Sequence, residues 1–372
     1  MKILLLLLLL LTGCQKQTKY NSKITKEINL EYGNPINLYT IIKDENITSP
    51  DIQIKINELK TQIIKYKTND NIVTLKINIV DTTKPILQLQ KTYYTEVNKN
   101  FDLKSKLFFG DNYDRTPKLE IIGTYDTNKI GTYPLKVKVT DSSGNITEKE
   151  TTIIVQKKKQ TTANNPVYYN FETLKQDYKD NILGIDVSVW QGNIDFQKVK
   201  EAGAEFVMIR IGFGNDNKNN IIMDSKFQNN IKNAKEVGLK VGLYFYSYAK
   251  SEKEAINQAK WIIKELNGQS LDLPIAFDWE SWTYFDDYQI NFLDINNIAK
   301  AFMDECIKNG YESMLYSSLN YLNYVWDLKD YKIWLAHYTK NTPYENYQIW
   351  QNSCTGTISG INGAVDFDII KR

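Results

Sequence analysis

The chain has 372 residues, 42% hydrophobic and 24% charged, an ordinary globular composition with length for two or three domains. Its formal net charge of +2 hides an asymmetry: Gln15 to Gln160 hold 24 basic and 17 acidic residues, Thr161 to Arg372 hold 21 and 27. No basic stripe is interleaved with aromatics, so nucleic acid is excluded as a partner, while a basic front half suits an anionic neighbour such as lipid headgroups or wall polymers.

In chain order, Lys2 precedes an apolar run, Ile3 to Leu11, that ends in Thr12-Gly13-Cys14. The run is far short of the ~20 residues that span a bilayer as a helix, and its layout is that of a secretory signal. "LTGC" resembles the lipobox of bacterial lipoproteins, which implies lipidation of Cys14 and a signal peptide over residues 1–14. The expected location is therefore extracytoplasmic, anchored to the bacterial membrane and facing the wall. The other cysteines, Cys306 and Cys354, form no framework from which a disulfide follows. A single histidine, His337, and no Cys/His cluster predict no zinc site, and no other metal or cofactor is expected.

From about Tyr20 to Gln156 the pattern is β. "IVTLKINIV" (Ile72 to Val80) and "YPLKVKVTD" (Tyr133 to Asp141) alternate apolar and polar residues, and turns such as "DSSGN" separate such runs. Ile36 to Ile56 can be laid over Phe101 to Ile122, a repeat that predicts two β-sandwich modules, over residues 20–82 and 83–157. "DTTKP" (Asp81 to Pro85) and "VTDSSGNITEKETTIIV" resemble bacterial Ig-like wall-associated repeats, which implies spacers or modules that bind wall polymers or envelope proteins. A polar stretch beginning "QKKKQTTANNP" predicts a linker over residues 158–180.

Strand–helix alternation follows over residues 181–372. "ILGIDVSVW", "FVMIRIGFG", "KVGLYFYSY", "LPIAFDWE", "SMLYS", "KIWLAHY" and "YQIWQ" read as strands, with helices between the earlier ones. Near-continuous apolar strands call for a parallel sheet covered by helices, and this many units predict a TIM-like (β/α) barrel, compact and irregular. The fold class is thus multidomain, with all-β Ig-like sandwiches followed by an α/β barrel.

Barrel enzymes carry reactive groups at the C-terminal ends of strands. Here those ends give Asp186, Arg210, Tyr244 and Tyr246, then Asp278, Glu280 and Trp282. Tyr316, Trp334, Tyr338 and Gln351 follow, and Asp366 arrives with the last strand. Residues i and i+2 of a strand share a face about 6.5–7 Å apart, so Asp278 and Glu280 repel each other, an arrangement that serves acid–base chemistry better than stability. Acids among aromatics and amides suit a sugar site. A purely structural pairing of Asp366 with Arg210 is the bland alternative, and His337 alternates off the face of Trp334 and Tyr338 as a structural residue.

"GIDVSVWQGNIDFQKVKEAGAEFVMIRIGFG", "VGLYFYSYAKS", "LPIAFDWE", "WLAHY" and "YQIWQNSCTGTISGINGAVDFD" resemble the glycoside hydrolase family 25 lysozymes, in order, across the whole second half. The resemblance implies an N-acetylmuramidase that cuts the β-1,4 bond between N-acetylmuramic acid and N-acetylglucosamine in peptidoglycan. It implies Glu280 as general acid, Asp278 as its partner carboxylate, and Asp186 and Asp366 as further acids of the cleft. Arg210, Tyr244, Tyr246, Trp282, Tyr316, Trp334, Tyr338 and Gln351 are the expected substrate contacts. Three roles are open to Asp278: attack on the anomeric carbon, activation of water, or orientation of a substrate acetamido group that itself attacks. N-acetylated sugars favour the third. The alternative to the enzyme is a wall-binding or adhesive lipoprotein whose barrel is inactive, and retention of all four acids argues against it.

Overall fold

The computed structural model describes residues 21–43, 46–158, 169–215, 220–328 and 330–372. The expected signal segment with Cys14, and the middle of the expected linker, lie outside them. The chain divides into two compact units, the first ending at Thr83 and the second running from Lys84 to Arg372.

In the first unit the strand Asn71–Val80 is central, antiparallel to Thr61–Lys67 and parallel to Asn21–Glu31. Its alternation buries Val73, Leu75, Ile77 and Ile79 against Leu38, Ile54 and Tyr66. The second unit opens with a four-stranded sheet in the order Thr92–Glu96, Ile146–Gln156, Gly131–Thr140, Lys118–Ile122. A facing pair, Ile86–Gln88 with Phe108–Gly110, completes this module around Leu87, Leu103, Val137 and Ile153. The repeat in the sequence appears as repeated structure. In each module an early strand runs parallel to the last one, and Leu38 and Leu103, equivalent in the repeat, are both fully buried.

The rest of the second unit is a closed eight-stranded barrel. Its strands are β1 (Ile182–Val187), β2 (Phe206–Asn215), β3 (Lys240–Tyr246), β4 (Ile275–Asp278), β5 (Ser313–Ser318), β6 (Lys332–Ala336), β7 (Ile349–Thr357) and β8 (Val365–Ile370). β1 to β7 are parallel, whereas β8 is antiparallel to both β7 and β1 and closes the ring. Helices such as Glu252–Leu266 and Phe292–Lys308 cover the outside, while the last two connections, β6 to β7 and β7 to β8, contain no helix. Large residues fill the interior, among them Phe206, Met208, Met314 and Trp334.

The barrel begins earlier than the linker expected over 158–180 allows. Tyr169–Asn170 adds to the barrel sheet beside β7, and the helix Phe171–Asp177, capped by the Asn170 side chain, buries Phe171 and Leu174. Two apolar residues three apart are a short signal, easily lost in a polar stretch.

The second module is fastened to the barrel at the N-terminus of the helix Phe292–Lys308. The Phe292 amide donates to the Asp111 carbonyl at 2.8 Å, and the Asn291 side-chain amide donates to the Tyr113 carbonyl at 2.7 Å. Arg115 grips Asp294 through two bonds of 2.7 and 3.0 Å. Gly110 lies so close to the Phe292 ring that a Cβ there would fall 2.7 Å from it.

Phe367 on β8 is fully buried, its ring 5.2 Å from that of Phe171 and tight against Gly356. Phe367→Ala is expected to cost about 3–5 kcal/mol of stability, since the backbone of a closed barrel cannot collapse into the cavity. All seven tryptophans lie in the barrel, so urea unfolding followed by tryptophan fluorescence measures this loss without interference from the β modules.

Candidate active site

β4 delivers the central pair. Asp278 ends the strand, in register with Tyr246 on β3 and Tyr316 on β5, and Glu280 follows on the loop beyond. Asp278 is buried, and its Oδ1 has no hydrogen-bond partner. Burial pushes its carboxyl well above the ordinary range, the Glu280 charge pushes it further, and Arg210 pulls it back. Glu280 faces the open cleft, yet the walls around its carboxyl displace enough water to raise its pKa too, against the lowering influence of a bond from Asp278. The two carboxyls are within hydrogen-bonding reach and titrate as a pair that retains a proton above the usual carboxylate range. The Glu280 backbone is tied down by the Tyr321 hydroxyl, which donates to its carbonyl at 2.8 Å.

β8 supplies the second acid group because of its reversed direction. Antiparallel pairing sets the start of β8 beside the end of β1, so Asp366 is the register partner of Asp186. Asp368, two residues on, lies inside the barrel with no exposure and accepts a 2.7 Å bond from the Trp334 indole. Burial, then the charges of Asp366 and Asp368, raise Asp186 far above its usual value. Burial carries Asp366 to about 6 and Asp368 to about 7. Gln351 holds this group in place. Its amide nitrogen donates to Asp186 Oδ2 at 2.7 Å, and its oxygen accepts from the Tyr316 and Tyr338 hydroxyls, each at 2.9 Å.

Several of the expected substrate contacts are bonded to the acids. Gln351 and Trp334, expected to touch sugar, are buried and bonded to Asp186 and Asp368. Arg210 is paired with the fully buried side chain of Asp224 through Nε and Nη2, both at 2.8 Å, and not with Asp366. From that anchorage its charge acts on Asp278. Tyr338 is exposed at the rim, Tyr246 and Trp282 are half-buried, and Tyr244 stands edge-on to Trp334. The His337 ring meets the Thr339 hydroxyl through Nδ1 at 3.2 Å. Cys306 is buried and Cys354 exposed, and neither is in a disulfide.

Two cavities meet at Glu280. One, of about 740 Å³, runs past Trp282, Tyr246 and Phe108; the other, of about 660 Å³, runs past Tyr316, Tyr338 and Gln88. Two important residues escaped the reading of the sequence. Asp368 repeats in "VDFD" the same-face spacing that singled out "DWE", and that spacing was the signal available. Asp224 has the look of a helix start in "DSKFQNNIKNAKEVG", and its Oδ1 does accept the Lys226 amide, while its Oδ2 serves Arg210 and the Val189 amide.

Residues 185–361 match the model of glycosyl hydrolases family 25, and residues 87–155 match the bacterial surface protein, Ig-like domain. The chain is 32% identical over 189 residues to the autolytic lysozyme of Clostridium acetobutylicum, an alignment covering 50% of this chain and 54% of that protein. It is 26% identical over 213 residues to lysozyme M1 of Streptomyces globisporus, covering 50% and 66%. The chain thus spans about half to two thirds of the length of these relatives. Among solved structures, the lysozyme of Streptomyces coelicolor is 24% identical with a TM-score of 0.45, over 51% of this chain and 92% of that one.

Asp224→Ala would leave the Arg210 guanidinium, only 13% exposed, without its partner. A stability loss of about 3–5 kcal/mol is expected by chemical denaturation. The elevated acids give a second expectation. The folded chain holds protons on Asp366 and Asp368 that the unfolded chain has released, so their contribution to stability is intact at low pH and is lost as pH rises from about 4 through about 7. In Asp368→Asn, whose amide oxygen still accepts from Trp334, this decline is expected to shrink by a few kcal/mol, on the order of 1.4 per pKa unit.

Proposed function

We propose that the chain, which carries a glycosyl hydrolase family 25 domain behind a bacterial surface Ig-like domain, is a cell-wall muramidase. It would cut the β-1,4 bond between N-acetylmuramic acid and N-acetylglucosamine in peptidoglycan. The observation that carries this reading is the Asp278–Glu280 pair at the mouth of the barrel, one carboxyl buried and one facing the cleft, both held above the ordinary range by burial. The names of the lysozyme relatives support the substrate class.

Glu280, on the open side, is the group that reaches a glycosidic oxygen and protonates it as the bond breaks. Asp278 is too enclosed to receive water easily, and its unpartnered Oδ1 is suited to accept the N–H of a substrate acetamido group. That contact draws Asp278 toward its ionised form and leaves the shared proton on Glu280. The acetamido oxygen then attacks the anomeric carbon, the leaving alcohol takes the Glu280 proton, and Glu280 as carboxylate activates the water that opens the cyclic intermediate. Asp366, partly exposed and raised only to about 6, adds negative charge at the strand ends, which favours the positive charge developing on the sugar ring. The lipobox-like "LTGC" supports a membrane anchor at Cys14 that would hold this activity close to the inner side of the wall.

The full chain incubated with purified peptidoglycan is expected to release reduced muramic-acid ends after borohydride treatment, read by mass spectrometry. Glu280→Gln is expected to lower the rate by about 10²–10⁴-fold. Activity is expected to fall on the alkaline side at a pH above the ordinary carboxylate range, as the pair loses its proton. New ends bearing N-acetylglucosamine, or wall binding without new ends, would reject the assignment.

A further inference from the structure

We infer that the second β module is part of the catalytic cleft: Phe108, with Trp282, walls a subsite that holds an uncharged N-acetylhexosamine of the glycan strand. The inference rests on the muramidase reading and extends it to a part of the chain outside the hydrolase domain.

The argument starts from register. Gln88 and Phe108 are directly paired across the short antiparallel strands Ile86–Gln88 and Phe108–Gly110, so their side chains share a face. Phe108 lines the larger cavity, Gln88 lines the smaller one, and both cavities reach Glu280. One edge of the module therefore overlooks the acid from both sides of the bond it would break. The Phe108 ring stacks on Trp282 at 5.5 Å and 19° and remains 39% exposed, an aromatic surface that a sugar ring can cover. Trp282 is braced from behind by Tyr321, 4.6 Å away, whose hydroxyl also holds the Glu280 carbonyl. The wall and the acid thus share one support.

The placement is fixed, because the Arg115–Asp294 fork and the two backbone-linked bonds to Asn291 and Phe292 lie immediately after the strand carrying Phe108. Charge identifies the occupant. The larger cavity is lined by six carboxylates and two cations, and one of those cations, Arg115, is committed to Asp294. Stem peptides carry free carboxylates that this lining repels, whereas N-acetylglucosamine is neutral and offers a face to the ring and hydroxyls to the acids.

The test measures binding of peptide-free glycan oligosaccharides by calorimetry to the full chain carrying Glu280→Gln. Adding Phe108→Ala is expected to weaken an octasaccharide about tenfold, while a disaccharide changes less than about twofold and the thermal midpoint is retained; Phe108→Tyr restores the octasaccharide. Equal affinities with and without the ring overturn the inference, as does a loss seen only for strands that bear stem peptides. An equal loss for both oligosaccharides with a lowered midpoint assigns Phe108 a structural role and also overturns it. If Glu280→Gln alone binds neither oligosaccharide, the muramidase reading falls together with the subsite. Binding that ignores Phe108 removes the subsite alone.

Discussion

Mutual repulsion among carboxylates is the constraint around which the barrel is organised. Asp186, Asp278, Glu280, Asp366 and Asp368 converge at one end, most of them out of water, and like charges at that depth cannot all be ionised. The surrounding structure answers with protons retained above the ordinary range and with rigid donors. Trp334 serves Asp368, Gln351 serves Asp186, and Arg210 offsets the charge of Asp278 from a distance fixed by Asp224. None of these partners neutralises an acid outright. The cleft thereby holds retained protons beside residual negative charge.

The reversal of β8 brings the second group of acids to this end of the barrel. A parallel eighth strand would present its C-terminal end to the cleft and its start to the far side of the barrel. Running antiparallel, β8 brings its first residues to the C-terminal ends of the other seven, which is how Asp366 faces Asp186. A short hairpin-like return from β7 suffices, and no helix is needed. The unit is smaller than a regular barrel for that reason.

Much of this was legible in the residues. Strands such as "IVTLKINIV" and "LPIAFDWE" carry their burial pattern in their letters. The acids on strand ends could be located because barrel geometry fixes which end matters. What could not be read was the partner of each charged group. Arg210 and Asp224 are separated by a hairpin, and nothing in their spacing distinguishes Asp224 from Asp366 as the anion beside the guanidinium. The docking of the second module was hidden for a similar reason: Arg115 and Asp294 lie 179 residues apart and each looks like an ordinary surface charge. The helix Phe171–Asp177 was obscured by its polar neighbours.

The hub at Gln351 gives a line of hydrogen bonds its direction. Two phenol hydroxyls donate to its oxygen, which leaves the amide only one orientation and compels its nitrogen to face Asp186. The Asp186 oxygen that receives this N–H, Oδ2, is thereby held as an acceptor. Polarity along the chain from Tyr316 and Tyr338 through the amide to the carboxyl thus runs in a single direction. A buried side chain on β7 in this way sets the orientation of a carboxyl on β1.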